Sequence, residues 1–161
     1  MIKGIQCILF FLVISSFSQQ GNKNAKVISL LSGGKNIVSE IKKLDATHAN
    51  LLNPNESDAN IQEVYKSWTE VHQQLQKFLK KNNFKWNVNA PSVKMYNRFY
   101  FDSNGNIKVF AFRFFTKVSK ETEKKFVNLM LKFTKKHTIG IKRNTAFAQC
   151  GKIALPNTQK L

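Results

Sequence analysis

Aromatic and basic side chains alternate between residues 94 and 114, and this segment is the part of the chain best suited to binding chemistry. Pairing Asp102 with Asn106 across a tight turn predicts a register that divides the segment between two faces. One face would carry Met95, Phe99, Phe101, Ile107, Val109 and Ala111. The other would combine rings with cations: Tyr96, Tyr100, Phe110, Phe112 and Phe114 beside Lys94, Arg98 and Lys108. Rings among cations can stack on bases or sugars, unless a helix covers them and leaves the cations at the rim.

Cysteine offers a second kind of chemistry, because a thiolate can act as a nucleophile. The chain has two cysteines, Cys7 and Cys150, and the first lies in the apolar N-terminal segment. A thiol enzyme would pair Cys150 with His137 as base and with Asp45 or Asp102 as the orienting carboxylate. No spacing favours that triad, so a buried, unpaired cysteine on the last strand is the preferred interpretation.

The sequence gives little support for a metal site or for glycosidase activity. His48, His72 and His137 are widely separated, and no HExxH or paired-cysteine motif is present. After residue 82 the only carboxylates are Asp102, Glu121 and Glu123, which argues against the paired carboxylates of a glycoside hydrolase. We therefore predict a protein without metal, cofactor or enzymatic activity.

Helical periodicity positions the first half of the chain. Apolar residues from Asn36 to Leu52 predict a first helix, and those from Ile61 to Leu79 predict a second, with Ser57 as its N-cap. These two helices are predicted to form an antiparallel hairpin. The short run Val27–Leu31 fits a strand or a helical turn equally well.

The period changes to two after residue 82, which predicts strands. Residues 84–88 suggest a short strand, and residues 93–101 and 107–115 a β-hairpin in which Gly105 takes a positive φ. Ser119 caps a third helix that ends near His137, and residues 146–155 form a final strand. The predicted fold class is α+β: a helical hairpin, then an antiparallel β-hairpin, helix and strand unit, with the helices packed on a small sheet.

The N-terminus is typical of a secretory signal peptide. One lysine precedes the apolar run from Ile5 to Ile14, and small residues at Ser16 and Ser18 suit cleavage before Gln19. The run is shorter than the roughly 20 residues of a membrane span. We expect residues 1–18 to be removed, leaving an exported, periplasmic or extracellular protein without a stable membrane span, whose residues 19–161 form one basic domain.

The charge is strongly positive and unevenly distributed. The whole chain carries a formal charge of +17, and residues 82–161 hold 16 basic and 3 acidic side chains, net +13. Such a field attracts anionic partners. The basic residues predicted to meet them are Lys94, Arg98, Lys108, Arg113, Lys142 and Arg143.

The layout of residues 93–155 resembles the C-terminal domain of TonB-type energy transducers. The likeness rests on the hairpin FYFDSNGNIKVFAF, the helix from Lys120 to His137 and the strand before Pro156. The chain lacks the family's Tyr-Pro motif and its Leu-Asp-x-Ala-Ala helix start. The resemblance implies an envelope-facing domain that pairs with a protein partner through a sheet edge, and it transfers no functional residue.

Three hypotheses about function follow. The first is an exported, non-enzymatic binding protein that contacts an anionic surface, polymer or acidic protein. The second is a nucleic-acid-binding module that uses the aromatic and basic hairpin face, with Tyr96, Tyr100, Phe110 and Phe112 as stacking residues. The third is a secreted thiol enzyme using Cys150.

Overall fold

The structure is a computed structural model that describes residues 24–31 and 34–157. The predicted signal peptide lies outside the described residues. The elements follow in the order β1 (Lys26–Ser29), α1 (Lys35–Asp45), β2 (Ala49–Asn50), α2 (Ile61–Lys81), β3 (Ser92–Phe101), β4 (Ile107–Phe114), α3 (Lys120–Thr134) and β5 (Phe147–Pro156). The predicted α+β class is confirmed. Among the described helices, none has the length and apolar character needed to cross a membrane.

The strands form one mixed sheet in the order β1-β4-β3-β5-β2. The long strand β3 is antiparallel to both of its neighbours, β4 and β5. The two short outer strands run parallel to theirs, β1 beside β4 and β2 beside β5. The run Val27–Leu31 is therefore largely a strand, and the sheet is antiparallel at its centre and parallel at both edges.

A β-bulge at the turn end of the hairpin decides which side chains share a face. Asp102 and Asn106 pair as predicted, and Phe101 lies opposite Ile107, but Tyr100 lies opposite Val109. Lys108 is thus an extra residue in β4, and beyond it every β4 side chain points to the face opposite the one a regular ladder would give. The predicted two-face assignment of β4 is wrong from Val109 onward.

The shifted register collects the phenylalanines of β4 on one buried face. Phe110 and Phe112 lie opposite Phe99 and Asn97, under α2 and α3. At the centre of this core, the ring of Phe126 on α3 lies 5.3 Å from that of Phe112 and 6.2 Å from that of Phe110. This arrangement removes large apolar area from water, which is the main favourable term in folding.

Helix α1 lies on the opposite face of the sheet from α2 and α3. Its Ile37, Ile41 and Leu44 pack on a smaller cluster that includes Tyr100 and Ala148. Helices α1 and α2 therefore do not form the predicted antiparallel hairpin, because the sheet separates them. Helices α2 and α3 thus cover one face of the sheet, and α1 covers only part of the other.

Several local predictions need correction. Helix α1 ends at Asp45 rather than near Leu52, and β2 follows it. The N-cap of α2 is Asn60, whose side chain accepts hydrogen bonds from Gln62 N and Glu63 N. Ser57 instead accepts from Ala59 N in the preceding loop.

Residues 84–88 form no strand, and the aromatic core explains their conformation. Phe84 and Trp86 fold over α3 and lie 6.0 and 5.3 Å from the ring of Phe126. The predicted cap of α3 is confirmed, since Ser119 Oγ accepts from Thr122 N. Within α2, Ile61 and Tyr65 were expected in the buried stripe but are more than half exposed.

Candidate functional site

The part of the sheet that α1 leaves uncovered carries the most suggestive group of side chains. We call it the open face, and it consists of Lys94, Tyr96, Arg98, Arg113, Phe115, Cys150 and Lys152. The alternation of β3, β4 and β5 directs these side chains away from α2 and α3. Four of the seven are cations, and the open face is therefore strongly positive.

The strand register arranges the open face in rows. Arg113 on β4, Tyr96 on β3 and Lys152 on β5 lie directly opposite one another across three strands. The backbones of β4 and β5 are separated by two strand spacings, about 10 Å. Arg98 lies opposite Cys150 in the next row toward α1. Two long cationic side chains thus flank a tyrosine on a sheet floor.

Phe115 lies beside this row, next to Lys94 and away from α1, and holds two of the cations together. The guanidinium carbon of Arg113 lies 5.9 Å and Lys152 Nζ 5.8 Å from the centre of its ring. Both distances fall in the range of cation–π attraction. Because Phe115 itself is 50% exposed, this cluster is accessible from solution.

One carboxylate balances the deepest cation of the open face. Asp45, at the C-terminal end of α1, accepts from Arg98 Nη2 at 2.9 Å and from the Tyr100 hydroxyl at 2.6 Å. Burial lowers the pKa of Arg98, but the nearby Tyr100 and Asp45 outweigh it and raise that pKa, so the guanidinium stays charged. Burial and the hydrogen bond to Asp45 raise the pKa of Tyr100 above its usual value.

The other cations of the open face have no such partner. Within the described part of the chain, Lys94, Arg113 and Lys152 make no ion pair with a carboxylate. All three are exposed. A ligand carrying negative charge would therefore meet cations that are not already neutralised.

Tyr96 and Cys150 provide the uncharged polar groups of the open face. Burial, and next the hydrogen bond with Cys150, raise the pKa of Tyr96 to about 12, so its hydroxyl is neutral at physiological pH. Cys150 also lies 3.5 Å from the side-chain nitrogen of Asn50 on β2. The thiol is unpaired and partly exposed.

Three of the predicted stacking residues are not accessible. Phe110 and Phe112 are fully buried under α2 and α3, and Tyr100 is fully buried beneath α1. The cause is the bulge at Lys108, which moved the β4 phenylalanines to the other face, together with the position of α1. The prediction that these three rings contact a ligand is therefore wrong, and of that set Tyr96 alone lies on the open face.

Lys142 and Arg143 belong to a different part of the surface. Arg143 N donates to Ser103 O at the hairpin turn, and the Arg143 side chain pairs with Asp58. They line a cavity of about 590 Å³ together with Glu56 and Asp58, so its charge is mixed. Lys94 is seven residues from the turn end of β3, about 23 Å along the strand. Like Lys108 at the bulge, these cations lie toward the turn end and do not extend the open face.

The residues of the hypothetical thiol enzyme are not brought together. The His137 ring stacks on that of Phe133 at 4.0 Å and contacts Phe78, between α3 and α2. Cys150 faces the opposite side of the sheet. Asp102 is engaged in the hairpin turn, where its carboxylate accepts from Asn104 N and Asn106 N. Among the described residues, no three His, Cys, Asp or Glu side chains are placed to hold a metal ion.

Sequence reasoning missed Lys152 and Phe115. Lys152 joins the open face because β5 is the neighbour of β3, which places it beside Tyr96, and Phe115 joins it directly after β4, beside Lys94. The alternation of β5 was readable in the sequence, but which strand it pairs with was not. The sequence suggests Asp45 only as the orienting carboxylate of a catalytic triad, whereas the structure places it against Arg98.

Comparison of the chain with protein-family models, with curated proteins and with solved structures finds no match. The resemblance to the C-terminal domain of TonB-type transducers therefore stays a prediction.

Proposed function

We propose that this is an exported, non-enzymatic binding protein whose open face binds an anionic partner. The observation that carries the proposal is the grouping of four cations on one uncovered stretch of sheet where, among the described residues, Asp45 is the single carboxylate paired with them. Lys94, Arg98, Arg113 and Lys152 supply the charge. Export to the periplasm or the extracellular space remains part of the proposal, and it rests on the N-terminal sequence alone.

The packing of the open face supports binding rather than a purely solubilising role. Cations that only solubilise a protein extend freely into water, whereas Arg113 and Lys152 converge on the ring of Phe115. Side chains that are already positioned lose less conformational freedom when a ligand binds. Arg98 is held in place by Asp45 and by the ring of Tyr100 at 5.2 Å.

Nucleic-acid binding is the weaker proposal after the burial of Tyr100, Phe110 and Phe112. Single-strand binding gains much of its affinity from bases stacked on successive rings. Tyr96 and Phe115 remain, and Phe115 already contacts two cations. The open face would thus attract nucleic acid mainly through its phosphates.

A protein partner at a sheet edge is our second candidate. β2 pairs with β5 only at Phe147 and Ala148, although β5 continues to Pro156. Within the described residues, the outer edge of β5 beyond Ala148 has no strand beside it. Such an edge can accept an added strand.

The proposal is tested by the affinity for a compact polyanion, inositol hexakisphosphate, measured by calorimetry. Replacing both Arg113 and Lys152 with glutamine is expected to weaken binding about tenfold at low salt, since two cations are lost from the site. The matched control replaces Lys66 and Lys77 on α2 with glutamine, which removes the same charge from the other side of the sheet. Its effect should stay below about twofold, because distant exposed charges are screened.

Two results would count against the proposal. One is an equal loss of affinity in the two double variants, which would mean that net charge alone attracts the ligand. The other is binding that persists unchanged in about 1 M salt, where the Debye length is only about 3 Å.

A further inference from the structure

The open face lies at the level of the sheet, and α1 rises above the sheet beside it. Together they form a step, with the open face as its floor and α1 as its side. Helix α1 packs on the same face as Tyr96 and Arg98, one row further along β3. A helix with its side chains is about 10 Å thick, so α1 rises well above the floor. At the foot of the step the Arg98 side chain is only 17% exposed. The floor is therefore recessed relative to the helix beside it.

Helix α1 crosses the strands, and the step runs across them with it. Glu40, in the middle of α1, pairs with Lys26 on β1 at 2.7 Å. Asp45, at its end, pairs with Arg98 on β3. The row formed by Arg113, Tyr96 and Lys152 crosses the same sheet from β4 to β5. An elongated ligand lying along α1 would cross the strand positions of these three residues in succession, with the charged ends of Arg113 and Lys152 reaching it from the side of Phe115.

We propose that the ligand of the open face is a linear acidic polysaccharide that lies across β4, β3 and β5 along the side of α1. This inference rests on the proposed function. Sugar rings would contact Tyr96, whose neutral hydroxyl can donate a hydrogen bond, and the carboxylates or sulfates of the chain would bind Arg113 and Lys152.

The shape of the open face argues against a membrane surface. A flat bilayer resting on α1 does not reach a floor about 10 Å lower. Peripheral membrane binding also uses several apolar side chains inserted together, whereas Phe115 is the one large apolar side chain of the open face that is half exposed. A flexible chain can enter the step where a plane cannot.

The number of available rings argues against single-stranded nucleic acid. Each nucleotide brings a base, and base stacking on aromatic side chains supplies much of the affinity. The ring of Phe115 is already in contact with Arg113 and Lys152, which leaves Tyr96. A polysaccharide carries no bases that need stacking partners, so a surface with one available ring suits it better.

The test compares three polyanions on the purified protein: alginate, which is a linear polymer of uronic acids, oligothymidylate of equal charge, and vesicles of phosphatidylcholine with phosphatidylglycerol. Alginate is expected to bind most tightly. Replacing Arg113 and Lys152 with glutamine should weaken alginate binding about tenfold, and Tyr96→Leu should weaken it further. The Lys66→Gln, Lys77→Gln control should leave alginate binding within about twofold. Circular dichroism confirms that each variant is folded.

The outcomes separate this inference from the proposed function. Tighter binding of oligothymidylate or vesicles, with the same dependence on Arg113 and Lys152, would overturn the polysaccharide assignment and leave the open face as an anion site. Equal losses in both double variants for all three probes would overturn both. Alginate binding that is unchanged by Tyr96→Leu would also contradict the inference, because the inference places a sugar ring on Tyr96.

Discussion

Replacing Phe126 with alanine is expected to destabilise the fold by about 3–5 kcal/mol, the range for removing a buried aromatic side chain. Phe126 is fully buried, and its ring lies within 6.2 Å of the rings of Phe84, Trp86, Phe110, Phe112 and Phe114. No neighbour can collapse into the space without leaving another gap in the aromatic cluster. A loss of this size is a large fraction of the stability of an ordinary domain, about 5–15 kcal/mol.

Chemical denaturation followed by near-ultraviolet circular dichroism measures this effect, and Phe115→Ala is the matched control. Phe115 is half exposed at the end of β4, so the control should cost less than about 1 kcal/mol. Similar losses in the two variants would mean that Phe126 is not at the centre of the core.

Gly105→Ala is the second change with a large expected effect, about 2 kcal/mol or more. Gly105 has φ +81°, a conformation that costs a residue with a Cβ atom about 1–2 kcal/mol. A Cβ at this position would also lie 2.6 Å from Ile141 O and 2.7 Å from Ile139 O. Because both are backbone atoms, the turn would have to move away from the loop that follows α3.

The same loop provides the control. Gly140 has room for a Cβ, whose nearest neighbour would be Ser67 Oγ at 3.5 Å, and Gly140→Ala should change the free energy of unfolding by less than about 0.5 kcal/mol. The turn also accepts a hydrogen bond across this contact, since Ile139 N donates to Gly105 O at 3.0 Å. A Gly105→Ala variant as stable as the control would contradict the contact between the turn and the loop.

Local signals in the sequence predicted the elements that depend on local interactions. The turn at Asp102–Asn106 and the cap at Ser119 are present, and the last strand, predicted over residues 146–155, is found at Phe147–Pro156. Each of these features is determined by hydrogen bonds or backbone preferences within a few residues. Helix α2 was recognised from its apolar stripe, although the cap lies at Asn60 because its side chain reaches two free backbone N–H groups.

The face assignment of β4 could not be predicted in the same way. A regular ladder from Asp102–Asn106 and one with a bulge at Lys108 satisfy the turn equally well, but they place Phe110 and Phe112 on opposite faces. The bulged register is favoured by tertiary packing, since it joins these rings to Phe99 and Phe126. That packing depends on α3, which the hairpin sequence does not contain.

The composition of the open face could not be predicted either, because it also depends on packing between distant parts of the chain. Its extent is set by α1, which lies on the opposite side of the sheet from α2, and by β5 lying next to β3. Amphipathic periodicity shows that a helix has a buried side but not which face of a sheet it covers. The predicted basic set was thus divided: Lys94, Arg98 and Arg113 share the open face, while Lys142 and Arg143 lie near the hairpin turn.

The central claim is that the open face is a binding surface, and the thiol of Cys150 reports on it directly. Cys150 lies opposite Arg98 within the open face and is partly exposed. The measurement is the rate of maleimide labelling at Cys150, resolved by peptide mass spectrometry, with and without inositol hexakisphosphate. At a ligand concentration ten times the dissociation constant, labelling should fall to about a tenth of its initial rate, in proportion to the unoccupied fraction. The reference thiol comes from Lys66→Cys in a Cys150→Ser background, and its labelling should be unaffected. Unchanged labelling at Cys150, or equal slowing of both thiols, would contradict the claim.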